Sequence, residues 1–272
     1  MKLHEQTFPA SCIFVVSACA SQAASKSLNS QPNMPDIRKH RGAHPDDRKL
    51  FAGGQLPVLR TAVAELSWLL TRDYSLIGAL KLVGDRYMLT ARQRLAVSRA
   101  ACSDQSKARR AAVMVDTAEV AGQGLVVDGF NLIITVEAAL SGGLLMLCRD
   151  GCIRDLSSVH GSYRAVVETE TAIRLIAESL ENLRPKSVEW LLDSPISNSG
   201  RLAKRIRDLA DAKGWNWKVE TLFNPDAAIT RSKRVVISSD SYILDGAERW
   251  LNFNRYLVAE RLADSWLIDL SC

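Results

Sequence analysis

Short runs of apolar residues recur through the second half of the chain, and three of them end on an aspartate. These aspartates are Asp128, Asp193 and Asp240, and the last of them follows two serines. Uninterrupted apolar runs of this kind are typical of strands that are buried on both faces of a parallel sheet. We therefore predict three buried strands that carry an aspartate at or just beyond their C-terminal ends.

Segments with helical periodicity separate these runs. Residues 169–183 place apolar side chains on one face, and residues 201–213 end at Gly214, which suits a left-handed C-cap. Residues 132–140 are consistent with a helix or an extended apolar segment, and a last helix is predicted over about 254–263. This alternation predicts an α/β fold with a parallel sheet covered by helices on both faces. Because crossovers between parallel strands are right-handed, the three aspartates are expected along one edge of the sheet.

A β-hairpin is predicted inside this α/β region. Asp150-Gly151 lies between two apolar runs, residues 144–149 and 152–156. An Asp-Gly pair in this setting is a strong hairpin signal, because glycine and aspartate tolerate the backbone conformations that a tight turn needs.

The pattern divides the chain into three parts. Residues 1–39 are predicted to be a disordered extension or the product of a mis-assigned start, because residues 21–33 are rich in serine, glutamine and asparagine. Residues 40–112 are predicted to form a small, basic, all-α domain, in which Thr90 and Gln93 have the spacing of a capping box. Residues 113–272 are predicted to form the α/β domain.

Composition narrows the class of protein without identifying it. The 272 residues are 47% hydrophobic, and the formal net charge of +5 permits a polyanionic partner without requiring one. The six cysteines include no CxxC pair, which argues against a zinc site and favours reduced thiols in a cytoplasmic protein. No stretch is long and apolar enough to span a membrane, and homo-oligomerisation is left open.

The three strand-end aspartates have two interpretations. A carboxylate at this place either caps the following helix or, together with the others, binds a cation. A site built from carboxylates without histidine or cysteine favours Mg²⁺ or Mn²⁺ over zinc, and such ions serve enzymes that act on phosphate esters. A metal-dependent hydrolase and a set of ordinary helix caps are therefore both consistent with the pattern.

Phosphate-binding candidates lie in three places. Arginines can bind phosphates in a bidentate manner, and the polar loop before residue 201 can bind an anion at a helix N-terminus. The alternatives are a solvated helix face for the arginines, ordinary capping for the loop and a surface hydrogen bond for the histidine. The candidates are Arg92, Arg99, Arg149, Arg154, Arg164, His160, Ser197, Asn198 and Ser199.

Two short motifs carry a family resemblance. Residues 127–132 (VDGFNL) resemble the opening motif of the NYN branch of PIN-like nucleases, in which D-G-x-N follows the first strand. Residues 238–241 (SSDS) resemble the later S-G-D-S-D motif of that group, with Ser239 in place of the glycine and Tyr242 in place of the second aspartate. The likeness covers residues 120–263 and extends to an uncharacterised prokaryotic family in which a short helical domain precedes the PIN-like module.

This resemblance implies a metal-dependent ribonuclease with a PIN-like, Rossmannoid fold. It implies that Asp128, Asp193 and Asp240 are catalytic ligands of Mg²⁺ or Mn²⁺, with Asp245 as a further ligand and Asn131 as an orienting amide. RNA is the expected partner. The alternatives are a non-catalytic RNA-binding or RNA-processing accessory protein with a degenerate site, and a small-molecule phosphohydrolase, which the lack of a D-x-D-x-T or Walker motif disfavours.

Overall fold

The computed structural model describes residues 40–157 and 163–271, which belong to one compact unit, Pro35–Cys272. The predictions for residues 1–39 and for His160 concern parts of the chain outside the described residues. Within the described ranges, no helix has the length and apolar character needed to cross a membrane.

Helices and strands alternate from residue 113 onward, after an N-terminal stretch of helices. The helices are α1 (Asp47–Leu50), α2 (Leu56–Leu70), α3 (Leu76–Arg86), α4 (Ala91–Ala100), α5 (Asp104–Ala112), α6 (Gly129–Leu140), α7 (Thr169–Asn182), α8 (Ser199–Lys213), α9 (Pro225–Thr230), α10 (Ser241–Gly246) and α11 (Phe253–Arg261), with short 3-10 turns at Gly53–Gln55 and Thr117–Glu119. The strands are β1 (Met114–Val115), β2 (Gly124–Asp128), β3 (Leu145–Leu147), β4 (Ile153–Asp155), β5 (Ser187–Asp193), β6 (Trp217–Leu222), β7 (Val235–Ile237), β8 (Trp250–Leu251) and β9 (Leu267–Asp269).

The central feature is a six-stranded parallel sheet with the strand order β1-β8-β7-β2-β5-β6. The predicted α/β class and parallel sheet are therefore confirmed. The chain proceeds outward from β2 through β5 to β6, then crosses back by way of α9 to β7 on the other side of β2. Such a reversal leaves a crevice at the C-terminal ends of the two strands that flank it, here β2 and β7.

Helices cover both faces of this sheet. Apolar side chains of α6, α7, α8 and α11 form one core with the sheet, and those of α9 and α10 form a second core on the opposite face. The segment predicted as either helix or extended chain is α6, which contacts β2 and β5 on one side and β3 and β4 on the other. Because α6 is buried all round, its sequence shows no polar face, and this explains why periodicity alone did not identify it.

A second, three-stranded sheet has the order β4-β3-β9. The strands β3 and β4 are antiparallel and flank Gly151, whose φ of 80° requires glycine, so the predicted hairpin is confirmed. The strand β9 pairs in parallel with β3 and was not predicted. A three-residue strand offers too short a pattern to be recognised in a sequence.

The N-terminal helices complete their core against this second sheet. Apolar residues of α2, α3 and α4 form one buried cluster with Met146 and Cys148 of the hairpin and with Ile268 of β9. Thr90 and Gln93 form the predicted capping box at the start of α4. The helical segment and the α/β segment therefore share side-chain packing, although the chain changes character between α5 and β1.

Candidate functional site

Asp128 is the last residue of β2 and is buried beside β7. Val127 is in register with Ile237 of β7, so the next residues along the two strands, Asp128 and Ser238, lie side by side. The Ser238 hydroxyl donates a hydrogen bond of 2.7 Å to Asp128 Oδ2. On the other carboxylate oxygen, Oδ1 accepts a longer hydrogen bond of 3.5 Å from the backbone N–H of Asn131. The carboxylate thus lies in the crevice at the strand reversal, with its orientation fixed by both neighbours.

Gly129 explains why α6 begins directly after this aspartate. A Cβ atom at Gly129 would lie 2.6 Å from Leu192 Cδ2 and 3.2 Å from the Leu191 carbonyl oxygen. Because real Cβ atoms do not approach other atoms so closely, glycine is needed for α6 to start against β5. The Asp-Gly pair therefore holds the carboxylate at the tip of the strand.

Asn131 joins the first turn of α6 to the segment that follows β7. Its side-chain carbonyl oxygen accepts hydrogen bonds of 2.9 Å from both the backbone N–H and the hydroxyl of Ser239. The residue that was predicted to orient a substrate is therefore seen to orient the chain beside Asp128. Ser239 occupies the position of the glycine in the resembled motif, and its hydroxyl adds one of these two hydrogen bonds.

Four carboxylates follow four adjacent strands. In the order β7, β2, β5 and β6, these strands lead to Asp240, Asp128, Asp193 and Asp226, which we call the acidic rim. Asp226 lies in the first turn of α9, close behind β6, and was not among the predicted site residues. The Asn-Pro-Asp sequence after a predicted strand was visible, but its relevance depends on β6 lying next to β5.

The electrostatics of the acidic rim centre on Asp128. The pKa of Asp128 is raised to about 8, chiefly by burial and further by the carboxylates of Asp240, Asp226 and Asp193, while the hydrogen bond from Ser238 opposes this rise. A shift of this direction means that the pocket disfavours a negative charge on Asp128. Strongly perturbed carboxyl groups of this kind in a crevice are typical of functional sites.

Two of the rim aspartates also cap helices, as the alternative interpretation predicted. Asp240 Oδ1 accepts hydrogen bonds of 2.8 Å and 3.3 Å from the backbone N–H groups of Tyr242 and Ile243, at the start of α10. Asp128 is the N-cap of α6 through its contact with Asn131. Within residues 40–157 and 163–271, no three His, Cys, Asp or Glu side chains are grouped closely enough to form a ready metal site. The oxygen donors of the rim suit Mg²⁺ or Mn²⁺. A cation bound there would have few ligands from the protein.

Two further acidic residues, Asp245 and Glu137, form ion pairs with arginines of the protein. Asp245, predicted as an additional metal ligand, forms an ion pair of 2.7 Å with Arg110. Glu137 is fully buried on α6 and binds Arg41 and the Tyr163 hydroxyl. The predicted role of Asp245 as a metal ligand stays a prediction beside this structural contact, and Glu137 anchors the start of the described chain to the centre of the fold.

Most of the predicted RNA-binding arginines are engaged within the protein. Arg92 makes a bidentate ion pair with Asp47, and Arg99 donates to the carbonyl oxygens of Asp155 and Ser157. Arg149, the turn arginine, donates to Asp104 and to the carbonyl of Cys102. The phosphate-binding role of these arginines stays a prediction, and their donors already have partners 40 or more residues away in sequence.

Arg154 is buried and also has a structural role. It makes a bidentate ion pair with Asp150, with distances of 2.9 Å and 2.7 Å, and its Nε donates to the Ser239 carbonyl oxygen at 2.7 Å. Arg154 therefore supports the backbone of the rim from behind and is not available to a substrate. Arg164, in contrast, is exposed, and its side chain makes no hydrogen bond or ion pair with the described residues.

The loop between β5 and α8 lies beside Arg164. Tyr163 donates its backbone N–H to the Ser197 carbonyl, and Asn198 Nδ2 donates to the Tyr163 carbonyl at 2.8 Å. Asn198 has a left-handed backbone with φ of 67° and does not cap α8 through its side chain, while Ser199 is buried. Ser197 and Asn198 thus hold the segment that carries Arg164 near the end of β5, and no anion-binding role is needed to explain them.

The fold and the acidic rim together define a doubly wound α/β protein with a carboxylate-lined crevice. The chain belongs to the family described as "Domain of unknown function (DUF5616)", whose model matches residues 117–256 and so includes the whole rim. Residues 58–112 match a second family, "Protein of unknown function (DUF434)". The two matches lie on either side of the junction between α5 and β1.

One curated protein that resembles the chain is "Uncharacterized protein MJ0935" of Methanocaldococcus jannaschii. The two are 32% identical over 186 residues, which cover 68% of this chain and 88% of the relative. No solved structure matches the chain.

Proposed function

We propose that the acidic rim is the catalytic centre of a PIN-like ribonuclease that depends on Mg²⁺ or Mn²⁺. The observation that carries this proposal is the setting of Asp128, a buried carboxylate whose charge is opposed by three others. Carboxylates grouped in this way persist when a divalent cation neutralises them or when one of them takes up a proton. Cations that prefer oxygen ligands match the donors of the rim.

The arrangement favours a cation with few protein ligands. Mg²⁺ commonly keeps several of its waters and binds through one or two carboxylates together with substrate phosphates. Asp128 is the expected first ligand because Ser238 and Asn131 fix its orientation. Asp193, on the neighbouring strand, and Asp240, across the crevice, are the expected second ligands.

The protein's own groups would prepare the site for phosphodiester hydrolysis. When bound, the cation supplies a water of lowered pKa and neutralises charge on the scissile phosphate. Ser238 keeps Asp128 Oδ2 in place, and Asn131 keeps the backbone of Ser239 against α6. Arg154 supports the same backbone through the Ser239 carbonyl. Three independent contacts therefore hold the β7 side of the crevice rigid.

RNA is the proposed substrate on the grounds of residue pattern and charge. Residues 127–132 and 238–241 resemble the motifs of the NYN branch of PIN-like nucleases, and both segments border the crevice. Arg164 and Arg201 are exposed beside the loop that follows β5, and neither side chain is paired within the described residues. These two arginines replace the buried or paired ones as the candidates for contact with the RNA backbone.

The test is a cleavage assay on total RNA with Mn²⁺, using the wild-type protein and the variant Asp128→Asn. We expect cleavage by the wild type, its loss in EDTA, and a loss of at least about a hundredfold in the variant, as for removal of a key electrostatic group in an active site. The matched control is Asp208→Asn on the exposed face of α8, where the carboxylate pairs with Lys204. Equal cleavage by wild type and Asp128→Asn would refute the proposal.

A second candidate function is RNA binding without cleavage. It is favoured by the helix-capping contacts of Asp128 and Asp240, which already satisfy part of their hydrogen-bonding capacity. Titration calorimetry with Mn²⁺ separates the two candidates. Heat of binding that disappears in Asp128→Asn supports the nuclease, whereas RNA binding without any heat from Mn²⁺ supports the accessory protein.

A further inference from the structure

Two aromatic rings are exposed at the acidic rim. Phe223 is 84% exposed and Tyr242 is 62% exposed. Within described residues 113–157 and 163–271, these are the two large aromatic side chains classed as exposed; the other exposed rings belong to the helical segment. An exposed ring is common on protein surfaces when it stands alone. The location of these two relative to the rim is what distinguishes them.

Both rings follow strands that end at the rim. Phe223 comes directly after β6, whose last carbonyl, that of Leu222, accepts a hydrogen bond of 2.7 Å from the Ser194 N–H just beyond Asp193. Tyr242 is the second residue of α10, and its backbone N–H donates a hydrogen bond of 2.8 Å to Asp240 Oδ1. The strands β6 and β7 flank β5 and β2, so the rings lie at opposite ends of the acidic rim. Three strand spacings separate β6 from β7, which is about 14 Å.

The neighbours of the two rings are polar, unlike those of the exposed apolar residues elsewhere. Ser194 and Asn224 are exposed next to Phe223, and Ser241 precedes Tyr242. On the outer side of α2 and α3, in contrast, Trp68 and Leu82 line one apolar groove of about 630 Å³. A contiguous apolar groove suits another apolar surface, whereas isolated rings separated by polar groups suit flat, polar-edged ligands such as nucleobases.

We infer that the acidic rim binds single-stranded RNA, with Phe223 and Tyr242 stacking on bases on either side of the phosphate at Asp128. This inference rests on the proposed nuclease function for the identity of the ligand. Stacking on a protein ring requires an unpaired base, because bases of a duplex are already stacked and paired. The two rings therefore select single strands over duplexes, and stacking makes them tolerant of base sequence.

The test measures binding separately from cleavage. Fluorescence anisotropy with a labelled oligoadenylate is carried out in EDTA, and a denaturing gel verifies that the probe stays intact. We expect Phe223→Ala and Tyr242→Ala each to weaken binding by about fivefold to 150-fold, the range reported for loss of one base–aromatic stack. Tyr242→Phe should bind like the wild type, because the ring is retained. Affinity for a duplex of the same length should not change in any of these variants.

The matched control is Tyr74→Ala, a substitution of a similarly exposed tyrosine in the helical segment, which should leave binding unchanged. Wild-type affinity in both rim variants, or an equal loss for single strands and duplexes, would overturn the inference. A wild-type protein that binds no RNA but forms a dimer dissociated by Phe223→Ala would also overturn it and would assign the rings to a protein interface. Cleavage that survives Asp128→Asn defeats the proposed nuclease centre instead, so the two failures are distinguishable.

Discussion

Asp150 and Asp128 are both buried carboxylates at the end of a short strand or turn, but their surroundings are opposite. Asp150, in the hairpin turn, binds the guanidinium groups of Arg110 and Arg154, and these cations hold its pKa well below the usual range. Asp128 accepts a hydrogen bond from the Ser238 hydroxyl, and burial together with three neighbouring carboxylates raises its pKa to about 8. The charge of Asp150 is neutralised by arginines of the protein. The charge of Asp128 has no such partner among the described residues and is left to be neutralised by a proton or a ligand.

The difference indicates that the Asp150 cluster contributes to stability, whereas the surroundings of Asp128 are suited to function. A buried ion pair with complete hydrogen bonding holds elements together, and removal of one partner leaves an uncompensated charge. The Asp150 cluster joins α5, the hairpin and the segment after β7 through Arg110 and Arg154. At Asp128, by contrast, the fold tolerates an unfavourable charge in a crevice, which is typical of a functional site.

The largest effect is expected at the compensated site. Replacement of Asp150 by asparagine leaves the buried guanidinium groups of Arg110 and Arg154 without their shared partner. We expect Asp150→Asn to lower the free energy of unfolding by about 3–5 kcal/mol, as measured by urea denaturation. The control Asp208→Asn, at an exposed carboxylate, should change it by about 0.5 kcal/mol or less. A loss below about 1 kcal/mol would show that the cluster contributes little.

The contrast between Asp128 and Asp150 shows which structural features can be predicted from the sequence and which cannot. Both follow short apolar runs, so periodicity predicted the strand, the hairpin and the parallel sheet. Asp150 meets Arg154 only four positions along the chain, but its second partner, Arg110, lies 40 positions away. No local pattern reports such contacts. The same limit explains why the sequence did not predict the internal partners of Arg92 and Arg99, which are also distant along the chain.

The candidate site was predictable to a similar extent. The residues on strands, Asp128 and Asp193, follow from buried apolar runs, and Asn131 follows from the family resemblance. Asp226 was missed because its relevance depends on strand order rather than on sequence order. The contact of Asp245 with Arg110 was not predicted, because a position five residues after Asp240 does not show which way the side chain points. Side-chain direction on a short helix is set by packing, which the sequence does not display.

The second prediction concerns stability and pH at the uncompensated site. The pKa of Asp128 in the folded protein, about 8, lies above its ordinary value of 3.8. Its contribution to stability is therefore fully present below about pH 4 and is lost as the pH rises through about 8. Asparagine cannot ionise, so Asp128→Asn should be more stable than the wild type by about 1–3 kcal/mol at pH 8 in EDTA.

The pH series supplies the control for this second prediction. Urea denaturation of wild type and Asp128→Asn should show a difference that shrinks as the pH falls toward the ordinary pKa of 3.8, because below that pH the wild-type carboxyl is protonated in both the folded and the unfolded state. Asp240→Ala, at an exposed helix cap, should instead lose about 1 kcal/mol with no comparable rise at high pH. A variant Asp128→Asn that is less stable than the wild type at every pH would remove the contrast between the two buried aspartates.

The smallest effect is expected from the one hydroxyl that favours the charged form of Asp128. Ser238 Oγ donates to Asp128 Oδ2 at 2.7 Å and accepts from the Asp240 N–H at 3.0 Å. Ser238→Ala should therefore raise the pKa of Asp128 above its wild-type value and lower the free energy of unfolding by about 1 kcal/mol. Titration of the carboxyl group by NMR measures the first effect, and Ser194→Ala, at an exposed serine beyond β5, is the control. Because a cation and a proton compete for the same carboxylate, Mn²⁺ binding in Ser238→Ala should require a higher pH than in the wild type. An unchanged pKa in Ser238→Ala would mean that the serine packs beside Asp128 without stabilising its charge, and the crevice would then lack the feature that prepares it for a cation.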